Sequence, residues 1–502
     1  MTLPILVLAV AAHDKFEAGC IPAGRPDKSQ RPDMEEYQKM SSPLLLREQE
    51  PIAPPDYPVL SDETVLRRLD PTEWNMERLN RVSNGAGCVY QIVQGRGPLS
   101  EARLRDAVRA LTQRHPLLGT RIVREDASSD AALLYVRAGA PQVIFADVER
   151  LDDSFLNIIE ADMNAGPTPS WRTSPFRFAC LKDAAQPERW VLMVSGAHAS
   201  CDGISLACLT HELLLATATG KIGDPLELRS IDIGQLPDRE ATASDPSQVR
   251  HIAPEADIPA EPSRRSLVRT RLKKASLTPN ATGALLQAVK RNGVTAHGAI
   301  GAAAHLAIAI RHAELTGNSP YGVYQTGTPV SLRPHVDPPL SDSDVRMAVE
   351  AALTNIAVKG SEGFWSLARR FGSAVRKQID NDDILRSWRD TTRRDRQIGS
   401  TGVPIPLISN VGHSALQPSY GQLSIENVAC AMATHGMFQI AMLFTTFAGR
   451  LGACFYFETP TVSEASMEQF VRRTMDILAS EEVHEGNPSI AKLLDLLEAR
   501  HA

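Results

Sequence analysis

No two cysteines stand in a C-x-x-C spacing, and the seven present (Cys20, Cys88, Cys180, Cys201, Cys208, Cys430 and Cys454) are scattered and odd in number. That argues against a structural zinc site or a disulfide framework and predicts a reducing, cytoplasmic address with no bound metal. The apolar run near the start, Leu3 to Ala12, is too short to span a bilayer and has no basic segment before it, so neither a membrane span nor a secretory signal is expected. Positive charge is not in excess: 53 Lys and Arg against 59 Asp and Glu leave a net charge of −6. A surface built for nucleic acid is therefore not expected. There is no G-x-S-x-G, no G-x-x-x-x-G-K and no dinucleotide fingerprint, and Gly95-Arg-Gly97 is too little to count as one. No internal repeat at a fixed period is visible.

What remains is an ordinary globular composition, 43% hydrophobic and 22% charged over 502 residues. Such a chain can bury a large core without staples and suggests two large lobes. Residues 1–55, rich in proline and charge, read as an irregular N-terminal arm. A first lobe is expected over 56–220, with a helix capped by Ser100 and carrying Leu104, Val108 and Leu111 on one face. Six prolines and many acids between 221 and 263 read as an inter-lobe linker. A second lobe is expected over 264–485, opening at Thr278-Pro279 with a helix in cap-then-proline order. Its next helix, capped by Thr295, carries Gly298, Gly301 and neighbouring alanines on a thin face that lets another backbone approach. The segment 380–396, dense in charge, reads as a solvated face or loop, and 486–502 as a C-terminal tail.

The segment Trp190-Val-Leu-Met-Val-Ser-Gly-Ala-His198-Ala-Ser-Cys-Asp202-Gly203-Ile-Ser-Leu carries the chemistry. It reads as a buried strand, a tight turn and a helix start. His198, at the mouth of the strand, is a proton acceptor held in place, and the Asp202-Gly203 turn fixes its loop. That arrangement suits a base that deprotonates an alcohol or amine before it attacks an acyl group. Cys201 beside it suggests a thiol nucleophile, but no histidine-asparagine pattern accompanies it and packing is the better reading. His297, His305 and His312 lie on one helix at spacings unsuited to a metal pair and read as core or partly exposed histidines.

His198-x-x-x-Asp202-Gly203 resembles the active-site motif of the acyltransferase superfamily that includes chloramphenicol acetyltransferase, the BAHD and alcohol acetyltransferases, mycobacterial polyketide-associated acyltransferases and nonribosomal peptide condensation domains. Arg114-His-Pro-Leu-Leu, Gly293-Val-Thr295-Ala-His-Gly-Ala-Ile, Thr328-Pro-Val-Ser-Leu-Arg333-Pro334, Ser409-Asn410-Val-Gly412 and Gly449-Arg-Leu-Gly-Ala-Cys-Phe-Tyr-Phe resemble other elements of that superfamily, in the same order along the chain. The resemblance implies an α/β fold of two chloramphenicol-acetyltransferase-like lobes, each a mixed β-sheet flanked by helices, with a channel between them and the motif at its middle. It implies His198 as general base, Asp202 as a structural partner of an arginine (Arg333 by position), and Gly203 as the residue that lets the helix start close to the channel. Asn410, with Ser409, is a channel or oxyanion candidate, or equally a turn-capping pair.

The implied reaction moves an acyl group from acyl-CoA, or from an acyl-phosphopantetheine on a carrier protein, to the hydroxyl of a small secondary-metabolite acceptor. No permanent cofactor is implied, and the two-lobe family is often monomeric. Ala197 stands where many condensation domains have a further histidine, which makes peptide-bond condensation the weaker expectation. The Asp-Phe-Gly-Trp-Gly element of BAHD enzymes is absent. An amine acceptor, a non-transferring protein that binds or cyclises an intermediate, and thioester hydrolysis all remain open at this level.

Overall fold

The computed structural model describes residues 57–501 apart from 84, 129–130, 152–154, 167, 232–248, 251–253, 256–267, 394–404 and 436–437. The expected arm at 1–55 and most of the expected linker lie outside the described residues. The first half of the chain supplies β1 (Val65–Arg68), β2 (Cys88–Arg96), β3 (Thr120–Arg124), β4 (Leu133–Arg137), β5 (Gln142–Val148), β6 (Phe176–Asp183) and β7 (Arg189–Ala197). The second half supplies β8 (Val249–Arg250), β9 (Arg269–Ser276), β10 (Gly322–Ser331), β11 (Val349–Val358), β12 (Leu407–His413), β13 (Ser419–Tyr420), β14 (Leu423–Met432), β15 (Ile440–Phe447) and β16 (Arg450–Thr459).

These strands form two large mixed sheets, ordered β13-β14-β2-β7-β6-β5 and β11-β10-β12-β15-β16-β9, with β8 beside β10 and a small β1-β4-β3 sheet apart. Helices flank both. The strand Trp190 to Ser195 is no more than 2% exposed at any position, as expected of a central strand covered on both faces. Helix Gly203–Thr219 follows it, capped by Asp202 and ended by Gly220 at φ +72°. In the second lobe, helix Ala296–Thr316 packs against helix Phe364–Asp380. The thin face works as anticipated: a Cβ on Gly298 would stand 2.8 Å from the Ala368 carbonyl, and one on Gly301 would overlap the Phe371 ring. No single described helix is long and apolar enough to cross a membrane.

Four stretches go beyond the outline expected from the sequence. Strand β14, from the second half, leaves its lobe and pairs antiparallel with β2, Ala431 opposite Tyr90. A cut near 264 therefore does not separate two independent sheets. Apolar alternation identifies a strand but carries no information on which sheet it joins. The expected tail holds helix Ile490–His501, whose Ile490, Leu493, Leu494 and Leu497 are buried in the second core. The charged stretch after Asp380 contains helix Asp383–Arg393, which buries Ile384, Leu385 and Trp388. Described parts of the linker pack too: Leu226 N donates to Arg114 O at 2.8 Å, and Glu255 pairs with Arg311 at 2.8 Å.

Candidate active site

Strand β7 ends at Ala197, opposite Cys88, and the chain turns through 198–200 into the helix that starts at Gly203. The turn is heavily tied. His198 N donates to Gly87 O at 2.6 Å, and Ser200 N to Ala197 O at 2.8 Å. The Tyr135 hydroxyl lies 3.1 Å from both Ala199 O and Ser200 Oγ. The half-buried His198 ring places Nδ1 2.8 Å from Cys201 O. A carbonyl oxygen only accepts, so Nδ1 carries the hydrogen and the lone pair of the neutral ring sits on Nε2. Nε2 has no hydrogen-bond partner among the described residues. The loop thus presents an oriented imidazole with its basic nitrogen available.

Asp202 points the other way. Arg333 Nη1 lies 2.5 Å from its Oδ2 and Nη2 lies 3.1 Å from its Oδ1, with both side chains at most 5% exposed. The Ser205 backbone N–H donates to Oδ1 at 2.9 Å, the helix-cap bond, and the Ala348 N–H donates to Oδ2 at 3.1 Å. Burial pushes the Asp202 carboxyl up, but the Arg333 guanidinium and the Ser205 bonds outweigh it and hold the group below the ordinary carboxylate range. Asp202 and Arg333 therefore come together, and the pair joins the motif loop to the segment after β10. Nothing lies within 4 Å of a Cβ built on Gly203, so the helix begins beside open space.

Ser409 and Asn410 lie on β12 in the second sheet, and no hydrogen bond joins them to the His198 loop among the described residues. Asn410 Oδ1 accepts from Gly412 N at 3.0 Å, beside Gly412 at φ +79°. That bond sits inside β12, where the register with β15 shifts between Asn410 and Gly412. Cys201 is fully buried, its Sγ 3.5 Å from Ala197 O, and burial first, then Asp202, pushes the thiol well up. A Cβ on Gly196 would stand 2.5 Å from that sulfur, so Cys201 fills space behind the turn.

Sequence reasoning missed Ser205 and Arg346. Ser205 Oγ lies 2.9 Å from Asp202 Oδ1, 3.0 Å from Arg333 Nη2 and 2.8 Å from Arg346 O. Its position three residues after a capping aspartate was the available signal. Arg346 contacts Asp70 and lies 3.7 Å from Glu73, which Arg67 binds at 2.6 Å. A buried polar network thus runs from the motif loop through Ser205 and the Arg346 backbone to the Arg346, Asp70, Glu73 and Arg67 charges at the start of helix Pro71–Val82.

Residues 266–453 match a family model described as the phthiocerol/phthiodiolone dimycocerosyl transferase C-terminus. The nonribosomal peptide synthetase kk1B of Curvularia clavata is 24% identical over 431 residues, 81% of this chain, while the chain spans only 3% of that protein. The first condensation domain of the calcium-dependent antibiotic synthetase, solved with a substrate analogue, has a TM-score of 0.60 at 14% identity, covering 86% of this chain and 98% of that one. The trichothecene 15-O-acetyltransferase TRI3 of Fusarium sporotrichioides has a TM-score of 0.59 at 13% identity, covering 83% of this chain and 95% of that one.

Proposed function

The chain has the two-lobed fold of the condensation-domain and acyltransferase superfamily, and from that premise we propose that it transfers an acyl group from a thioester to the hydroxyl of a small acceptor of secondary metabolism. The observation that carries the reading is the oriented His198 ring, with Nδ1 bound to Cys201 O and Nε2 without a described partner. In this reading Nε2 takes the hydroxyl proton as the oxygen attacks the thioester carbonyl. The tetrahedral oxyanion collapses, the carbon–sulfur bond breaks, and the imidazolium returns the proton to the leaving thiolate. No acyl-enzyme forms. Asp202 and Arg333 hold the loop and do not touch substrate. The thioester is acyl-CoA or an acyl-phosphopantetheine on a carrier protein, bound as co-substrate.

Incubating the protein with acyl-CoA thioesters and a panel of alcohols, and following thiol release together with the mass of the acceptor, tests the proposal. Acylated alcohol formed by wild type and lost in His198→Ala is the expected result. Thiol release without acylated acceptor is thioester hydrolysis and overturns it. The peptide synthetase relative supports a second reading, in which the acceptor is an amine; the same assay with amines decides between them.

A further inference from the structure

A cavity of ≈ 340 Å³ lies between the crossing strand and the second sheet, lined by β9, β14, β15 and β16. Its rim and floor differ in chemistry. At the rim Ser276 and Asn427 are exposed, and Lys274 is half-buried. Lys274 Nζ donates to Gln94 Oε1 at 3.3 Å and sits 4.6 Å over the Phe155 ring, while Asn427 Nδ2 donates to the same Gln94 oxygen at 2.9 Å. One amide oxygen therefore holds an ammonium and a carboxamide together at the mouth. The floor is largely apolar: Cys430 is 6% exposed, Cys454 is 2% exposed, and Leu443 packs on the same face of the sheet as Cys454. Burial pushes both thiols up to about 12, so they remain neutral walls. Strand β14 becomes more buried from Asn427 toward Met432, so the mouth faces away from His198 and the floor toward it. Cys430 lies opposite Gln91, which lies opposite Val194. From Val194 to His198 is about 13 Å at ~3.3 Å per residue.

We propose that this cavity binds an apolar chain or ring system bearing an oxyanion, with the apolar body on the Cys430, Cys454 and Leu443 floor and the anion on Lys274 and Asn427. A cavity of ~150 Å³ holds one benzene ring. The present volume suits a body about twice that size, such as a medium-length chain. Gly452 sets the limit: a Cβ there finds only Thr445 O, at 3.7 Å, so a larger side chain enters the cavity without striking the backbone. As a subsite for the end of a substrate remote from the reacting carbonyl, the assignment rests on the acyl-transfer reading. As a binding site it stands alone.

Calorimetric titration of the full chain with octanoate and with 1-octanol tests it without turnover. Wild type is expected to bind both saturably, octanoate about 10-fold tighter, the scale of one charge-assisted hydrogen bond. Lys274→Met should bring the two within about 2-fold by weakening octanoate alone. Gly452→Leu should weaken both by about 10-fold or more, with circular dichroism confirming its fold. His198→Ala should bind octanoate as wild type does, so failure of the catalytic reading is seen separately. No saturable binding by wild type, or unchanged binding in folded Gly452→Leu, overturns the site. Equal loss of both ligands in Lys274→Met overturns the anion anchor.

Discussion

Arg333 closes a two-point ion pair on Asp202, at 2.5 and 3.1 Å, across a sequence separation that spans both lobes. Taking the guanidinium away leaves a buried carboxylate whose other partners are the Ser205 and Ala348 amides and the Ser205 hydroxyl. Arg333→Met is therefore expected to cost about 3–5 kcal/mol of unfolding free energy, measured by urea denaturation at pH 7. The pair also has a pH signature. The folded Asp202 carboxyl titrates below its unfolded value, so its contribution is complete above about pH 4 and disappears as pH falls through the folded value. Wild type and Arg333→Met should converge in stability under acid. A variant as stable as wild type at neutral pH would remove the clamp.

His198 makes a different prediction because its ring is half-buried and its one described ring hydrogen bond goes to a carbonyl of its own turn. His198→Ala should lower kcat by about 10²–10⁴-fold, the usual range for a lost general base. Its melting temperature should stay near that of wild type. Turnover at the wild-type rate with the true substrates would end the base assignment.

Cys201→Ala separates the base from a thiol mechanism. The sulfur is buried behind the turn, against Ala197 O and the face of Gly196, and its proton is held tightly. The variant should keep most of the activity and lose about 1–2 kcal/mol of stability from the small cavity it opens. Loss of activity comparable to that of His198→Ala, with the fold intact, would reinstate the cysteine.

The motif, its strand and its helix were legible because each is local. A continuous apolar strand, an Asp-Gly turn and a capped helix are all written in adjacent residues. Arg333 was reachable only through a family resemblance, since nothing in its neighbours marks it as the partner of Asp202. The crossing of β14 into the first sheet was not legible, because its alternation is the same whichever edge it meets. The helix Asp383–Arg393 was hidden by charge: three buried side chains are enough to dock it, and composition averages them away. Asn410 shows the opposite difficulty, since an asparagine two residues before a glycine reads as a loop or turn, whereas here both residues lie within β12 at a register shift.

Glu77 is buried completely beside Tyr57 and Ser170, and one of its carboxylate oxygens has no hydrogen-bond partner among the described residues. Burial is the main cause that pushes its pKa from 4.5 up to about 7, against the lowering effect of the Ser170 and Tyr57 bonds. A carboxyl that binds its proton more tightly when folded favours the native state at low pH and loses that contribution as pH rises from about 4.5 to 7. Glu77→Gln keeps the shape and removes the titration. Its stability relative to wild type should rise with pH across that window, by up to about 3 kcal/mol. A difference that does not vary between pH 5 and 8, by urea midpoints, would contradict this.

His305 acts in the opposite direction over nearly the same range. Its ring lies wholly inside the second lobe, with Nδ1 2.7 Å from Gly301 O, and burial lowers its pKa from 6.5 to about 4. A histidine that resists protonation when folded stabilises the native state above about pH 6.5, and that contribution is lost as pH falls toward 4. His297, on the same helix and also lowered to about 4, adds to the loss. Because Glu77 gains where these histidines lose, it offsets about one histidine's share of the loss between pH 4.5 and 6.5, and the other histidine leaves wild-type stability falling toward acid. His305→Leu removes one side of that balance. The variant should retain more of its neutral-pH stability at pH 4.5 than wild type does, by about 2–3 kcal/mol after its constant packing difference is subtracted. Parallel pH curves for variant and wild type would mean that the ring binds its proton equally well in the folded and unfolded states, and would contradict this.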